Sequence, residues 1–132
     1  MTGVSERNKR KVELFVEAVW NEGRLELIDE LVAADYLGQV YGLANRVSGP
    51  QGLRRLVSSR RLAYPGLYVK IEDQIAEHDL VVTRWRATAD SREPGLRTPG
   101  AEPARCCAGI SIVRLLAGKQ VDSHTGYTSA AT

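Results

Sequence analysis

The first 63 residues carry apolar side chains at the three- and four-residue spacing of amphipathic helices. Residues 5–21 present one such stripe, which consists of Val12, Phe15, Val16, Val19 and Trp20. A shorter stripe predicts a second helix and consists of Leu25, Ile28, Leu31 and Val32. A third helix is predicted to begin at Ser48, with Pro50 in its first turn, and to end at Tyr64-Pro65-Gly66. Residues 35–41, between the second and third helices, are typical of a short strand.

After Pro65 the pattern changes to that of β-strands. The predicted strands of this half are residues 67–77, 80–89, 105–116 and 120–128. The tight turn His78-Asp79 separates the first two, which predicts a hairpin. Residues 91–104 hold three of the five prolines and therefore predict a loop between the second and third of these strands.

Helices followed by long antiparallel strands indicate an α+β fold, in a single domain over residues 1–132. We expect three N-terminal helices to pack on a strongly curved, mixed or antiparallel sheet of four to six strands. The result is a cone-shaped α+β barrel, and such a cone can hold a small molecule. Along each strand, residues two apart share either the interior or the exterior face.

Composition narrows the class of protein further. The 132 residues are 43% hydrophobic and 26% charged, which excludes wholesale disorder. The net charge of +2 is too small to indicate nucleic-acid or membrane binding, and no apolar run reaches the roughly 18 residues of a membrane span. The polar start lacks the hydrophobic segment of a secretory signal, so a cytoplasmic protein is expected. Adjacent Cys106 and Cys107 do not have metal-ligand spacing, and no phosphate-binding glycine motif is present, so we expect neither metal nor cofactor.

Several segments, in order along the chain, match one protein family. Residues 63–89 contain an aromatic-Pro turn, an acidic turn and a strand with Arg84-Trp85. Residues 105–121 contain a Gly-Ile pair and a Gly-Lys turn like those of the family's later strands. Asn21-Glu22-Gly23 and Asp35-Tyr36 match the family's opening helices and first strand, and residues 49–53 match the start of its third helix. The arrangement resembles that of the SnoaL-like polyketide cyclases.

The resemblance implies the nuclear-transport-factor-two-like fold and a cofactor-independent cyclase or isomerase of natural-product biosynthesis, antibiotics included. It also implies a hydrophobic or polycyclic small-molecule substrate and a homodimer formed through the outer face of the sheet. The chain departs from the family's pattern at Gly66, Gln39, Asp90-Ser91, His124 and Thr128, where aspartate, histidine, Thr-His, tryptophan and aspartate are usual. These changes leave two alternatives open. One is an epoxide-opening hydrolase or pyran-forming cyclase, and the other is a non-catalytic module that binds a small molecule.

Asp122 and His124 are two apart on the last predicted strand, so both side chains point to one face. If that face lines the cone, the carboxylate orients the imidazole, which can then transfer protons near neutral pH. The family's tryptophan position falls on His124 and favours the interior, whereas a solvated pair at a strand edge is the alternative. His78 lies in a turn and is expected to be solvated.

Gln39 and Tyr41 share one face of the first strand, and an amide with a phenol can hold a carbonyl or enolate oxygen. Tyr41 could instead be a rim aromatic. We therefore predict a catalytic set of His124, Asp122, Tyr41 and Gln39. The predicted substrate-binding set consists of Trp85, Tyr36, Ser91 and Ser111. Strand alternation places Trp85 on one face with Ser91, where its indole forms either a flat pocket wall or part of the core.

Four arginines lie on the third predicted helix, at positions 54, 55, 60 and 61. Such residues would suit a phosphate-bearing ligand or nucleic acid. Because they are spread over both flanks of an amphipathic helix, we interpret them as its solvated side.

Overall fold

The computed structural model describes residues 3–90 and 104–129. Its helical part consists of α1 (Val4–Leu14), a π-helical continuation of α1 (Phe15–Asn21), a 3-10 turn (Leu25–Leu27), α2 (Ile28–Leu31) and α3 (Gly49–Ala63). The three predicted helices are confirmed with two differences. The first widens to the i→i+5 pattern at Phe15, and the second is short because Val32 already belongs to a strand. No helix in the two described ranges is long and apolar enough to cross a membrane.

The described strands form one mixed sheet. They are β1 (Val32–Val40), β2 (Val47–Ser48), β3 (Tyr68–Glu77), β4 (Leu80–Ala89), β5 (Ala104–Leu116) and β6 (Lys119–Ser129). Their order across the sheet is β2-β1-β6-β5-β4-β3, in which β1 and β6 run parallel and all other neighbours run antiparallel. The predicted α+β fold, with helices on a mixed sheet and a β3–β4 hairpin, is confirmed. The predicted loop lies outside the described residues, apart from Ala104, with which β5 begins.

Hydrophobic side chains hold the helices against one face of the sheet. In the π-helical segment, Phe15 and Val19 pack toward α2 and α3, whereas Val16 packs toward β3 and β4. Val12 of α1 packs against valines of β4 and β5. Since α1 contacts β3 and β4 while α3 contacts β1 and β2, the two long helices cover opposite halves of the sheet. The face that they cover is the inner face, and the other is the outer face.

An irregularity in β6 decides which of its side chains reach the inner face. The pairing with β5 steps from Leu115 opposite Gln120 to Arg114 opposite Asp122, which leaves Val121 as an extra residue in β6. Before this bulge the inward residue is Gln120, which is 4% exposed. After it the inward residues are odd-numbered and begin with Ser123, which is 9% exposed. After this one extra residue, the odd-numbered side chains of β6 therefore point inward and the even-numbered ones point outward.

Two asparagines tie the outermost strand to the helices. Asn21 Nδ2 donates to the Val69 carbonyl at 2.9 Å, and the Val69 N–H donates to Asn21 Oδ1 at 2.7 Å. The amide therefore takes the place of a neighbouring strand at the free edge of β3. At the other end of β3, Asn8 Nδ2 donates to the His78 carbonyl at 3.0 Å, and the His78 N–H donates to Ser5 Oγ at 3.1 Å.

Asn21→Ala should lower the free energy of unfolding by about 1–3 kcal/mol, because it removes two hydrogen bonds and leaves the Val69 N–H and carbonyl unpaired in a partly buried place. Urea denaturation followed by circular dichroism measures this loss. Asn45→Ala is the control, since Asn45 is exposed. A loss no larger than that of the control would show that the amide does not stabilise the edge of β3.

Candidate active site

A cavity of about 220 Å³ lies between α1, α3 and the inner face of the sheet. The helices contribute mainly apolar side chains, which include Val12, Phe15, Val16, Trp20, Leu53 and Leu56. The sheet contributes most of the polar groups, from Tyr36 on β1, Thr83 and Trp85 on β4, Cys107 and Ser111 on β5, and Gln120, Ser123, Thr125 and Tyr127 on β6. The walls therefore combine an apolar side with a side that carries hydroxyl groups.

The Tyr36 hydroxyl and Ser123 Oγ form a buried pair in the wall. They lie 2.5 Å apart, either can be the donor, and Tyr36 is 3% exposed. The phenol reaches Ser123 because residue 38 is glycine, since a Cβ at that position would collide with the Tyr36 hydroxyl. If Ser123 donates, the phenolic proton is free to bond a ligand oxygen in the cavity.

Burial raises the pKa of Tyr36 above the ordinary value of 10.0. The hydrogen bond with Ser123 acts in the opposite direction, and the negative charge of Asp122 adds to the increase. The phenol therefore keeps its proton at neutral pH and can act as a hydrogen-bond donor.

A second hydroxyl cluster fixes the tryptophan of the wall. Trp85 Nε1 donates to Ser111 Oγ at 3.0 Å, and Ser111 Oγ lies 2.9 Å from Thr125 Oγ1. These bonds link β4, β5 and β6 across the inner face. The orientation of the indole, which is part of the cavity wall, is thereby set.

Aromatic rings continue from Trp85 toward the rim. The rings of Trp85 and Tyr127 are tilted by 43° with centroids 6.3 Å apart. A Cβ at Gly109 would lie 2.6 Å from both the Trp85 ring and the Gly126 carbonyl oxygen, so glycine is needed at this position of β5. Tyr127 is 37% exposed, and its hydroxyl accepts a long hydrogen bond of 3.4 Å from Arg60 Nη2 of α3.

The described cavity wall carries little charge. Among the described residues that line the cavity, Arg60 is the only one with a charged side chain, and none is a carboxylate or an imidazole. The polar groups that face a ligand from the described walls are therefore neutral donors and acceptors, together with one guanidinium.

Three residues of the predicted substrate-binding set line the cavity, namely Trp85, Tyr36 and Ser111. The alternation of side chains along β1, β4 and β5 places these three residues on the inner face. Ser91, the fourth member, lies outside the described residues. Contact of these side chains with a substrate stays a prediction. His78 is exposed in its turn, as expected.

The predicted inward direction of His124 and Asp122 is wrong. Both lie on the outer face, because the bulge at Val121 turns Ser123 and Thr125 inward instead. His124 is exposed, and the Asp122 carboxylate lies 3.5 Å from Arg114 Nε. The two side chains do share a face, as the spacing indicates, but that face is not the cavity wall.

Gln39 and Tyr41 also lie away from the cavity. On β1 the inward positions are Tyr36, Gly38 and Val40, so Gln39 points outward and lies opposite His124 in the pairing of β1 with β6. Tyr41 follows the end of β1 and is 63% exposed. The structure thus brings Gln39 and His124 together on the outer face and leaves the predicted catalytic set outside the cavity.

The wall residues that were not predicted as site residues include Ser123, Thr125, Tyr127 and Arg60. The first three alternate along β6, and the inward face of that strand could not be assigned without the bulge. Arg60 contradicts the interpretation of all four arginines as the solvated side of α3. It follows Leu53 and Leu56 by seven and four residues, so its spacing places it on the apolar side of the helix.

Comparisons with known proteins agree with this architecture. The family model for SnoaL-like polyketide cyclases matches residues 10–127. No curated protein matches the sequence. A candidate SnoaL-like polyketide cyclase from Jannaschia sp. CCS1 superposes with a TM-score of 0.78 at 17% identity, over 96% of this chain and 89% of that one.

Two further solved structures share the fold. IdmH, a candidate polyketide cyclase from Streptomyces antibioticus, has a TM-score of 0.71 at 22% identity, with 91% of each chain covered. An LEH-like epoxide hydrolase from M. tuberculosis has a TM-score of 0.70 at 18% identity, over 94% of this chain and 84% of that one. At these identities the likeness shows the fold alone. The family match over most of the chain goes further: the protein belongs to the family of SnoaL-like polyketide cyclases.

Proposed function

We propose that the protein is a cofactor-independent cyclase or isomerase that acts on a polyketide-like intermediate of natural-product biosynthesis. Membership in the SnoaL-like family supports a cyclase or isomerase activity in general and a small-molecule substrate. The observation that carries the proposal is the apolar cavity with the Tyr36–Ser123 pair in its wall.

The phenol of Tyr36 is the proposed electrophilic group. A substrate carbonyl that accepts its proton in a hydrogen bond becomes more acidic at the adjacent carbon, because the bond stabilises the enolate oxygen. Such a bond is stronger in an apolar cavity than in water. Ser123 holds the phenol in place through the 2.5 Å contact.

The cavity walls make the second contribution to the proposed catalysis, because they hold the substrate in a folded conformation. Trp85 and Tyr127 offer flat apolar surfaces on the sheet side, while Phe15 and Leu56 close the helix side. Holding the reacting carbon atoms near each other removes several kcal/mol of the barrier to ring closure. The described walls contribute no side-chain base, so the proposed substrate is a carbonyl compound whose adjacent C–H is further acidified by a second carbonyl or an aryl ring and can lose its proton to water.

A non-catalytic binding module is the second candidate. The absence of a carboxylate and an imidazole from the described cavity walls favours it. A module would bind the same ligands through the same cavity without accelerating any exchange of their protons.

We also propose that two copies associate through the outer face of the sheet. Large apolar side chains are exposed there, with Leu37 at 43%, Ile110 at 48% and Ile112 at 41%. Leu37 and Ile112 both lie beside β6, opposite Asp122 and His124 respectively. Burial of this patch against a second copy would remove it from water.

Tyr36→Phe should lower the rate of enolisation by about 100-fold, the usual effect of removing one donor to an enolate oxygen. The assay follows deuterium exchange into 2-tetralone by NMR, because this bicyclic ketone has acidic protons beside its carbonyl. His124→Ala is the matched control and should change the rate less than about twofold, since His124 lies on the outer face.

Two outcomes of this assay would contradict the proposal. If the wild type binds 2-tetralone but does not accelerate exchange, the binding module is favoured. If Tyr36→Phe exchanges as fast as the wild type, the phenol is not the donor.

The tyrosinate absorbance of the wild type, minus that of Tyr36→Phe, should show a midpoint above pH 10.0, because burial raises the pKa of Tyr36. The folded state then holds this proton more tightly than the unfolded chain. The resulting stability is present below pH 10.0 and is lost as the pH rises through the folded-state pKa. The free energy of unfolding should therefore fall more steeply at high pH in the wild type than in Tyr36→Phe. A midpoint at or below 10.0 would contradict the burial of the phenol.

Ile112→Glu should convert the proposed dimer into a monomer, because it places a charge beside Ile110 on the proposed contact face. Sedimentation equilibrium should give twice the chain mass of 14.5 kDa for the wild type and 14.5 kDa for the variant. Ile75→Glu is the control, since Ile75 is 70% exposed on the edge strand β3. A wild type that sediments as a monomer would overturn the proposal.

A further inference from the structure

We infer that Arg60 makes the cavity selective for organic carboxylates, so that the preferred ligand has an apolar body in the cavity and a carboxylate at the rim. This inference deepens the proposed function, because it assigns a substrate class to the same cavity. It concerns binding, however, and does not depend on the step that Tyr36 is proposed to assist.

The first observation is the isolation of the Arg60 charge. The guanidinium has five N–H donors, and its one partner among the described residues is the Tyr127 hydroxyl at 3.4 Å. No carboxylate in the described residues lies within ion-pair distance of it. Most of its donors are therefore available to a ligand.

Other arginines of the same helix show the contrast. Arg54 pairs with the Asp29 carboxylate at 2.5 Å, and Arg61 donates to the carbonyl oxygens of Trp20 and Asn21 at 2.6 and 2.9 Å. Each of these side chains is used within the fold. Arg60, which alone of the α3 arginines lines the cavity, has no such carboxylate or carbonyl partner in the described part of the chain.

The surroundings of Arg60 strengthen its attraction for an anion. Its neighbours in the cavity wall include Leu56, Tyr64 and Tyr127, so the charge is less well hydrated than on an open surface. Opposite charges interact more strongly where water is partly excluded than in bulk water. The planar fork of N–H groups matches the two oxygens of a carboxylate.

The aromatic wall specifies the rest of the ligand. Tyr127 contacts Arg60 on one side and lies against Trp85 on the other. A carboxylate on Arg60 would therefore place the attached carbon skeleton beside two flat rings. An aromatic or other planar apolar carboxylic acid fits this arrangement.

The test compares two ligands that share one carbon skeleton, 1-naphthoate and 1-naphthamide, by isothermal titration calorimetry on the full chain at pH 7. The wild type should bind the carboxylate about tenfold more tightly than the amide, because only the carboxylate forms charge-assisted hydrogen bonds with Arg60. In Arg60→Gln the affinity for 1-naphthoate should fall about tenfold, while that for 1-naphthamide changes less than about twofold. Arg60→Lys should lose part of the preference, since it keeps the charge without the fork.

Arg55→Gln is the matched control, because Arg55 is exposed on the same helix and does not line the cavity. It should keep the full preference. Equal affinity of the wild type for both ligands, or binding of neither, would overturn the inference. An equal loss of both affinities in Arg60→Gln would overturn it too, since Arg60 would then only support Tyr127.

Circular dichroism shows whether Arg60→Gln is folded. If it is not, the wild-type preference and Arg60→Lys decide the question. A clear preference for the carboxylate, together with no acceleration of deuterium exchange, would retain this inference while the proposed catalytic function fails.

Discussion

The bulge at Val121 determines the chemical character of the cavity. β6 lies in the interior of the sheet, between β1 and β5, so each side chain that it turns inward becomes part of the wall. One extra residue turns Ser123 and Thr125 toward the helices and leaves Asp122 and His124 on the other side. An unpaired carboxylate in this apolar space would carry a large cost of desolvation. Hydroxyls avoid that cost because they bond to one another, as Tyr36 and Ser123 do.

The sequence was sufficient to predict the secondary structure where the strands are regular. The helices and the hairpin were predicted from periodicity alone, which also indicated which residues of β4 share a face with Trp85 and which of β5 share a face with Ser111. Alternation by itself does not fix which of the two faces is the inner one. On β6 the match of His124 to the family's tryptophan position favoured the wrong face. Nothing in the local sequence distinguishes Val121 from an ordinary strand valine, because the bulge exists only in its pairing with β5. Arg60 is a different case, since its spacing from Leu53 and Leu56 does indicate the apolar side of α3.

The neutral hydroxyl groups and the charged guanidinium lie in different parts of the cavity wall, so the cavity is chemically asymmetric. In the described walls, the hydroxyl pairs lie on the sheet, and the guanidinium of Arg60 reaches the cavity from α3, beside the exposed Tyr127. In the proposed function, a ligand with an anionic end and a carbonyl would be oriented by two different interactions. The ionic contact would select which end lies at the rim, and the phenol of Tyr36 would act on an oxygen that carries charge only as the enolate develops. The two roles are therefore separable by substitution.

Gly38 and Gly109 show that the space for the Tyr36 and Trp85 side chains depends on glycine at two positions of the sheet. Glycine inside a strand is unfavourable by about 0.5–1 kcal/mol relative to alanine, so neither position is explained by the stability of β1 or β5. At Gly38 a Cβ would collide with the Tyr36 hydroxyl, and at Gly109 one would lie 2.6 Å from the Trp85 ring. Both glycines thus let an aromatic side chain cross the inner face and reach a hydroxyl partner, Ser123 for Tyr36 and Ser111 for Trp85. The positions of the two polar clusters in the wall therefore depend on residues that contribute no side chain to it.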